Sequence, residues 1–120
     1  MIMNAELKVV AAGHICLDIT PVFPESCRGE MDEIFIPGRL VNVEQARLTL
    51  GGSVSNTGLA MAFFGLDVHP LGKVGEDEFG AIAERMFRDH GIHHGLIRSP
   101  ESATSYSIVL SLPGKDRLFL

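Results

Sequence analysis

Two short stretches bring together residue types able to hold a small polar molecule. Gly13-His14-Ile15-Cys16-Leu17-Asp18 follows one apolar run, and Gly51-Gly52-Ser53-Val54-Ser55-Asn56 leads into another. An ionised Asp18 accepts hydrogen bonds only and can hold two neighbouring hydroxyls, whereas Asn56 donates and accepts at once. Paired glycines let backbone N–H groups approach a ligand with no side chain in the way. A helix starting there adds unpaired N–H donors and the positive end of its dipole. The combination suits a polyol or sugar. It suits a phosphate less well, because no Lys or Arg accompanies it. Each part alone has an ordinary structural meaning: a Gly-Gly before a helix is often a tight turn, and an Asp after a strand is often a cap.

These residues need elements to position them. Leu7 to Ala12 (LKVVAA) is a short apolar run ending at Gly13, the pattern of a buried strand in a parallel sheet. Asp18 then falls just past a strand end, where ligands of open α/β sheets bind. The Pro, Ser and Gly content of Asp18 to Gly29 predicts a loop. Two strand-like pieces follow, Glu33 to Ile36 and Leu40 to Leu50, separated by Pro37-Gly38. Val54 to Phe64 is apolar all round and closes at Gly65, which predicts a largely buried helix. Val68 to Gly75 is a plausible strand interrupted by Pro70. Next comes the clearest helix: Phe79, Ile82, Ala83, Met86 and Phe87 repeat at helical spacing, with Asp77 at the N-cap position and Gly91 after the last turn. A short strand over Leu96 to Arg98 and a hairpin, Tyr106 to Leu112 and Arg117 to Leu120 around Pro113-Gly114-Lys115-Asp116, complete the chain. Alternating strand and helix argues for an α/β layer with a mainly parallel sheet. The insertion after the first strand and the last hairpin fit no place between those helices and could pair as a small separate sheet.

Composition narrows the function classes. At 120 residues with a formal charge of −5 and no Lys/Arg cluster, the chain has no electrostatic reason to bind nucleic acid or an anionic membrane. There is no transmembrane stretch, and Met1 to Leu7 lacks signal-peptide character. Cys16 and Cys27 form neither a CxxC pair nor a zinc spacing, so they are expected to be structural thiols of a cytoplasmic protein. The five histidines, His14, His69, His90, His93 and His94, show no metal-ligand pattern. Lys73 lacks a GxxxxGK[ST] context, and Gly72-Lys73-Val74-Gly75 lacks GxGxxG spacing. Glu76-Asp77-Glu78 fits a helix start better than a Mg²⁺ site.

The stretch GGSVSNTGLAMAFFGLDVHPLGKVGEDEFG, Gly51 through Gly80, resembles the N-terminal signature of the ribokinase-like (PfkB) carbohydrate and nucleoside kinases. The residues that carry the resemblance are Gly51-Gly52, Asn56, Gly65 and Gly72-Lys73-Val74-Gly75, followed by Asp77 and Phe79-Gly80. The Gly13 to Asp18 element matches as well. Val54 stands where the signature usually has a small residue, Gly58 where Ser, Thr or Ala is usual, and Cys16 at a position often polar.

The resemblance implies a ribokinase-like α/β fold: a mainly parallel sheet with flanking helices, and a β lid from segments 19–50 and 104–120. It implies ATP- and Mg²⁺-dependent phosphorylation of a sugar or nucleoside, the acceptor held by Asp18, Gly51, Gly52, Ser53 and Asn56. Thr104, Ser105 and Tyr106 open a lid strand that lines the sugar pocket in relatives, so one of them is a candidate contact. Arg117 resembles a recurring arginine with no derivable role. The family's second signature, a Gly-Ala-Gly-Asp-type motif carrying the catalytic base and the anion hole, is not in these residues. The expectation is therefore an N-terminal part of a larger kinase, stopping in an apolar strand at Leu118 to Leu120. Such a part is inactive alone, binds neither ATP nor Mg²⁺ by itself, and is prone to homodimerise through the lid. An inactive binding or dimerisation module is the alternative.

Overall fold

A computed structural model describes residues 8–120. The expectations for Met1 to Leu7, including Leu7 as the start of the first strand, lie outside the described residues. In chain order the elements are β1 (Lys8–Ala12), β2 (Cys16–Val22), α1 (Met31–Ile34), β3 (Glu44–Gly51), α2 (Gly52–Phe63), β4 (Asp67–Gly75), α3 (Glu78–Asp89), β5 (Gly95–Ser99), β6 (Tyr106–Leu110) and β7 (Leu118–Phe119). They divide into two compact units, one of the residues through Leu17 with Leu50–Tyr106, the other of Asp18–Thr49 with Ser107–Leu120.

The first unit is an α/β layer. Its sheet has the order β1-β4-β5 and is parallel throughout, with Lys8 opposite Asp67, Ala12 opposite Leu71, and Leu71 to Gly75 opposite Gly95 to Ser99. Ile15, Leu50, Val54, Val74, Ala83, Phe87 and Ile92 form its buried core. The amphipathic α3 buries Ala83 and Phe87, as its spacing predicts, and Asp77 caps it by accepting from the Gly80 N–H at 2.8 Å. Its end closes with the paired bonds Gly91 N–H to Arg88 O (2.8 Å) and Ile92 N–H to Phe87 O (3.0 Å). Helix α2 is less buried than its composition predicts: Val54, Ser55 and Gly58 face inward, but Phe63 and Phe64 are 86% and 79% exposed. An all-apolar sequence does not distinguish faces, and here only the side turned to β1 and β4 is covered.

The second unit contains most of a four-stranded sheet of order β3-β2-β6-β7. Its hairpin is antiparallel, with Val109 opposite Phe119 and Leu110 opposite Leu118. Three expectations change here. Asp18 begins no loop; it lies in β2, where β-branched Ile19, Thr20 and Val22 outweigh Pro21. The strand expected at Glu33 to Ile36 is instead the single helical turn α1, held at its start by reciprocal Glu30 and Glu33 contacts. The next strand begins at Glu44 rather than Leu40. The insertion and the hairpin share one sheet, but β2 separates them. Phe23 is buried, with the Phe35 ring edge-on at 5.9 Å, and Lys115 in the hairpin turn pairs with Glu30.

Candidate functional site

Gly51, Gly52, Ser53 and Asn56 sit together at the start of α2. Gly51 ends β3 and occupies the N-cap position with no side-chain cap. Gly52 has φ +84°, and a Cβ there would lie 2.5 Å from the His14 carbonyl oxygen. The Val54 N–H donates to that same oxygen at 3.1 Å. The helix start therefore rests directly on the backbone that follows β1, and only glycine satisfies both the left-handed conformation and the close approach. Ser53 and Asn56 are exposed, while Val54 and Ser55 are buried. The Ser55 hydroxyl finds no partner among the described residues.

Asp18 belongs to the second unit. It is half-buried on β2, and its carboxylate accepts a hydrogen bond from the Ser107 hydroxyl on the neighbouring strand β6. Just before it, the Leu17 N–H donates to the Ser105 carbonyl at 3.0 Å. Asp18 therefore sits within a strand of the four-stranded sheet rather than in a loop, beside a hydroxyl from 89 residues further along the chain. Sequence reasoning missed Ser107; no local signal marks a partner so distant.

The signature residues around Asp77 form an internal hydrogen-bonded latch. Thr104 is 3% exposed. Its hydroxyl accepts from the Gly75 N–H (2.8 Å) and donates to Asp77 Oδ1 (2.7 Å), and its N–H donates to Asp77 Oδ2 (2.8 Å). The Thr104 N–H, the Thr104 hydroxyl and the Gly80 N–H hold the Asp77 carboxyl below the usual carboxylate range. A Cβ on either Gly75 or Gly80 would collide with this latch. Thr104 is therefore structural, and its polar groups are committed. Tyr106 is 53% exposed and meets the Phe79 ring edge-on at 5.1 Å. Both line a groove of about 330 Å³ with Asp77 and Thr104. Arg117 lies over the Phe119 ring, 5.7 Å from its centre.

Two further ionisable groups of the first unit, Glu84 and His94, have structural partners. Arg98 binds both Glu84 oxygens, at 2.9 and 2.7 Å, and this holds the Glu84 carboxyl below its ordinary value. Burial holds the His94 imidazole below its ordinary value, and the ring accepts from the Leu96 N–H through Nδ1 at 3.4 Å. Among the described residues no three His, Cys, Asp or Glu side chains gather as a metal site requires, and no helix is long and apolar enough to cross a membrane.

The profile of the pfkB family carbohydrate kinases matches residues 7–120. The chain belongs to this family. An ATP-dependent ribose-1-phosphate kinase of Halopiger xanaduensis is 26% identical over 106 residues, covering 86% of this chain and 33% of that protein. The ribokinase of Giardia lamblia superposes with a TM-score of 0.75 at 19% identity, covering 94% of this chain and 34% of that one. The fructokinase of Xylella fastidiosa with bound ATP superposes with a TM-score of 0.67 at 20% identity, covering 94% and 32%. The fold is thus ribokinase-like, and the chain spans about a third of the length of these relatives.

Proposed function

We propose that this chain supplies the acceptor-binding part of a cytoplasmic kinase that transfers the γ-phosphoryl group of ATP to a hydroxyl of a sugar or related polyol. The observation that carries this reading is the start of α2, a helix N-terminus with no side-chain cap and with exposed Ser53 and Asn56 beside it. Apart from the Val54 N–H, which donates to the His14 carbonyl, its first-turn N–H groups are donors for ligand oxygens, and Gly51 and Gly52 keep side chains away from them. Asp18 supplies the complementary acceptor for hydroxyl protons. Family membership favours this reading over a generic helix start, and a nucleoside remains within the acceptor class.

ATP with Mg²⁺ supplies the transferable phosphoryl group and neutralises its charge, and such transfer is largely positioning and electrostatics. Asp77 is committed to Thr104 and Gly80, and Lys73 is exposed outside any phosphate-binding loop. Nucleotide, metal ion and proton-accepting base are therefore assigned to sequence beyond these residues. The role left to this chain is to hold the acceptor and present its hydroxyl. The 120 residues alone should not turn over ATP, and measurable phosphorylation by the purified chain would contradict that. The four-stranded sheet takes the lid role and is the homodimer contact, a reading supported by exposed Leu48, Leu118 and Phe119 on its strands and by exposed Leu40 and Val43 just before β3. Sedimentation as a monomer at micromolar concentration would remove the dimer.

The test is a screen of the full-length gene product against sugars and nucleosides with ATP, followed by Asp18→Ala. Each charge-assisted hydrogen bond lost is worth about 1.5–3 kcal/mol, so KM for the preferred acceptor should rise by roughly tenfold or more. An unchanged KM would end the assignment of Asp18.

A further inference from the structure

The Asp18 carboxylate is not presented bare. Its Oδ1 accepts from the hydroxyl of Ser107, which stands on β6, the strand next to β2 in the second sheet. The two strands are tied just upstream by the Leu17 N–H to Ser105 O bond of 3.0 Å, which keeps Asp18 beside Ser107. A carboxylate turns broadly about its last side-chain torsion, so an unassisted Asp presents its oxygens in many planes. A hydroxyl donor fixed on a neighbouring strand selects one plane. Preorganisation of this kind reduces the ordering cost that a ligand must otherwise overcome.

We propose that Ser107 is a positioning residue for acceptor binding: its hydroxyl sets the plane of the Asp18 carboxylate and so determines which pair of neighbouring acceptor hydroxyls is bound. The proposal rests on the acceptor-site reading of Asp18. It assigns Ser107 an effect on affinity and selectivity through Asp18, with no contact to the transferred group. Replacing Ser107 by Ala releases the carboxylate, weakens the bidentate grip on two hydroxyls, and leaves the single-hydroxyl interaction largely intact. Ser107→Thr keeps the donor at the same position. Ser107→Cys keeps the side-chain shape with a much poorer donor.

The experiment uses the full-length gene product with the sugar or nucleoside that the wild type phosphorylates best, and with the analogue of it lacking one of two neighbouring hydroxyls. In Ser107→Ala, KM for the parent acceptor should rise about two- to tenfold, the loss of one ordering contact, with kcat within about twofold. The penalty for the deoxy analogue should shrink several-fold relative to wild type. Ser107→Thr should return both values to near wild type, and Ser107→Cys should behave like Ser107→Ala, which also covers the case in which the alanine variant fails to fold. If Asp18→Ala raises KM but all three Ser107 variants match wild type in KM and in deoxy penalty, the positioning role is wrong and the acceptor site stands. If all three Ser107 variants raise KM with an unchanged deoxy penalty, Ser107 is merely structural and the proposal fails. If Asp18→Ala leaves KM unchanged, or the wild type phosphorylates no acceptor, the site reading itself fails and the proposal with it.

Discussion

Replacing Thr104 by Val tests the latch that closes the first unit. Valine has the shape of threonine, so no cavity forms and only polar contacts change. Two are lost. The Gly75 N–H, which gives its hydrogen bond to the Thr104 hydroxyl at 2.8 Å, is left without a partner in a buried place. An orphaned buried donor costs about 1–3 kcal/mol. The bond from the hydroxyl to Asp77 Oδ1 at 2.7 Å is also lost. Asp77 is only half-buried and keeps the Thr104 and Gly80 N–H donors, so this second loss falls at or below the lower end of the roughly 1.5–3 kcal/mol typical of a hydrogen bond to a charged group. The sum is about 2–4 kcal/mol, a large share of the 5–15 kcal/mol typical of a whole domain. Thr104→Ser keeps both bonds and gives up one methyl, about 1 kcal/mol. Urea unfolding followed by tyrosine fluorescence separates them, because Tyr106 is the protein's single tyrosine, there is no tryptophan, and its ring rests against Phe79 beside the latch. The valine variant should unfold at clearly lower urea than the serine variant. Equal midpoints would refute the latch. The folded-state pKa of Asp77 is depressed below 3.8 by its Thr104 and Gly80 donors. Its contribution is therefore present above the unfolded pKa and is lost as pH falls through the folded one, so the gap between the two variants should narrow in acid.

The glycines divide into those that geometry requires and those it does not. Gly52→Ala places a Cβ 2.5 Å from the His14 carbonyl oxygen at φ +84° and should cost about 2 kcal/mol or more, read as a lowered urea midpoint. Gly58→Ala is the counterpart: its Cβ would meet Val68, Ala11 and Pro70 at 3.7–3.8 Å, ordinary contact, in the interior of α2. It should stabilise by about 0.5–1 kcal/mol, and a lower thermal midpoint would contradict this. His94 has a pKa lowered from 6.5 chiefly by burial, so the unfolded chain binds its proton first as pH falls. Stability should therefore decline as pH drops from about 7 toward 5, and His94→Gln should flatten that decline in denaturation curves taken across the range.

How much of this was legible follows from the distance over which each contact acts. Helix α3 announces itself because cap, apolar stripe and closing glycine all lie within fifteen consecutive positions, Asp77 to Gly91, and each agrees with the others. The parallel strands β4 and β5 likewise follow from the order of elements. Strand β2 is hidden because Pro21 and the Ser- and Pro-containing stretch after it carry loop composition, while the pairing that makes it a strand comes from β6, far along the chain. The helical turn α1 is hidden because four residues are too few to show a period.

The site divides the same way. Gly51 and Gly52 are recognisable from local chemistry, and the structure adds the reason for Gly52, the His14 carbonyl, which stands 38 positions earlier. Asp18, the proposed acceptor ligand, lies on β2 and not in the expected loop, because composition cannot report that its backbone is paired there. Thr104 is the instructive case among the three candidate contacts. A hydroxyl just before a strand resembles a ligand contact, yet its donor goes to Asp77 and it accepts from the Gly75 N–H, 27 and 29 residues earlier. Ser107, three residues further on, carries the same chemistry and is directed instead at Asp18. Two hydroxyls in one short segment thus serve different carboxylates. Only their partners, both remote in sequence, distinguish the one that holds the fold from the one assigned to the acceptor site.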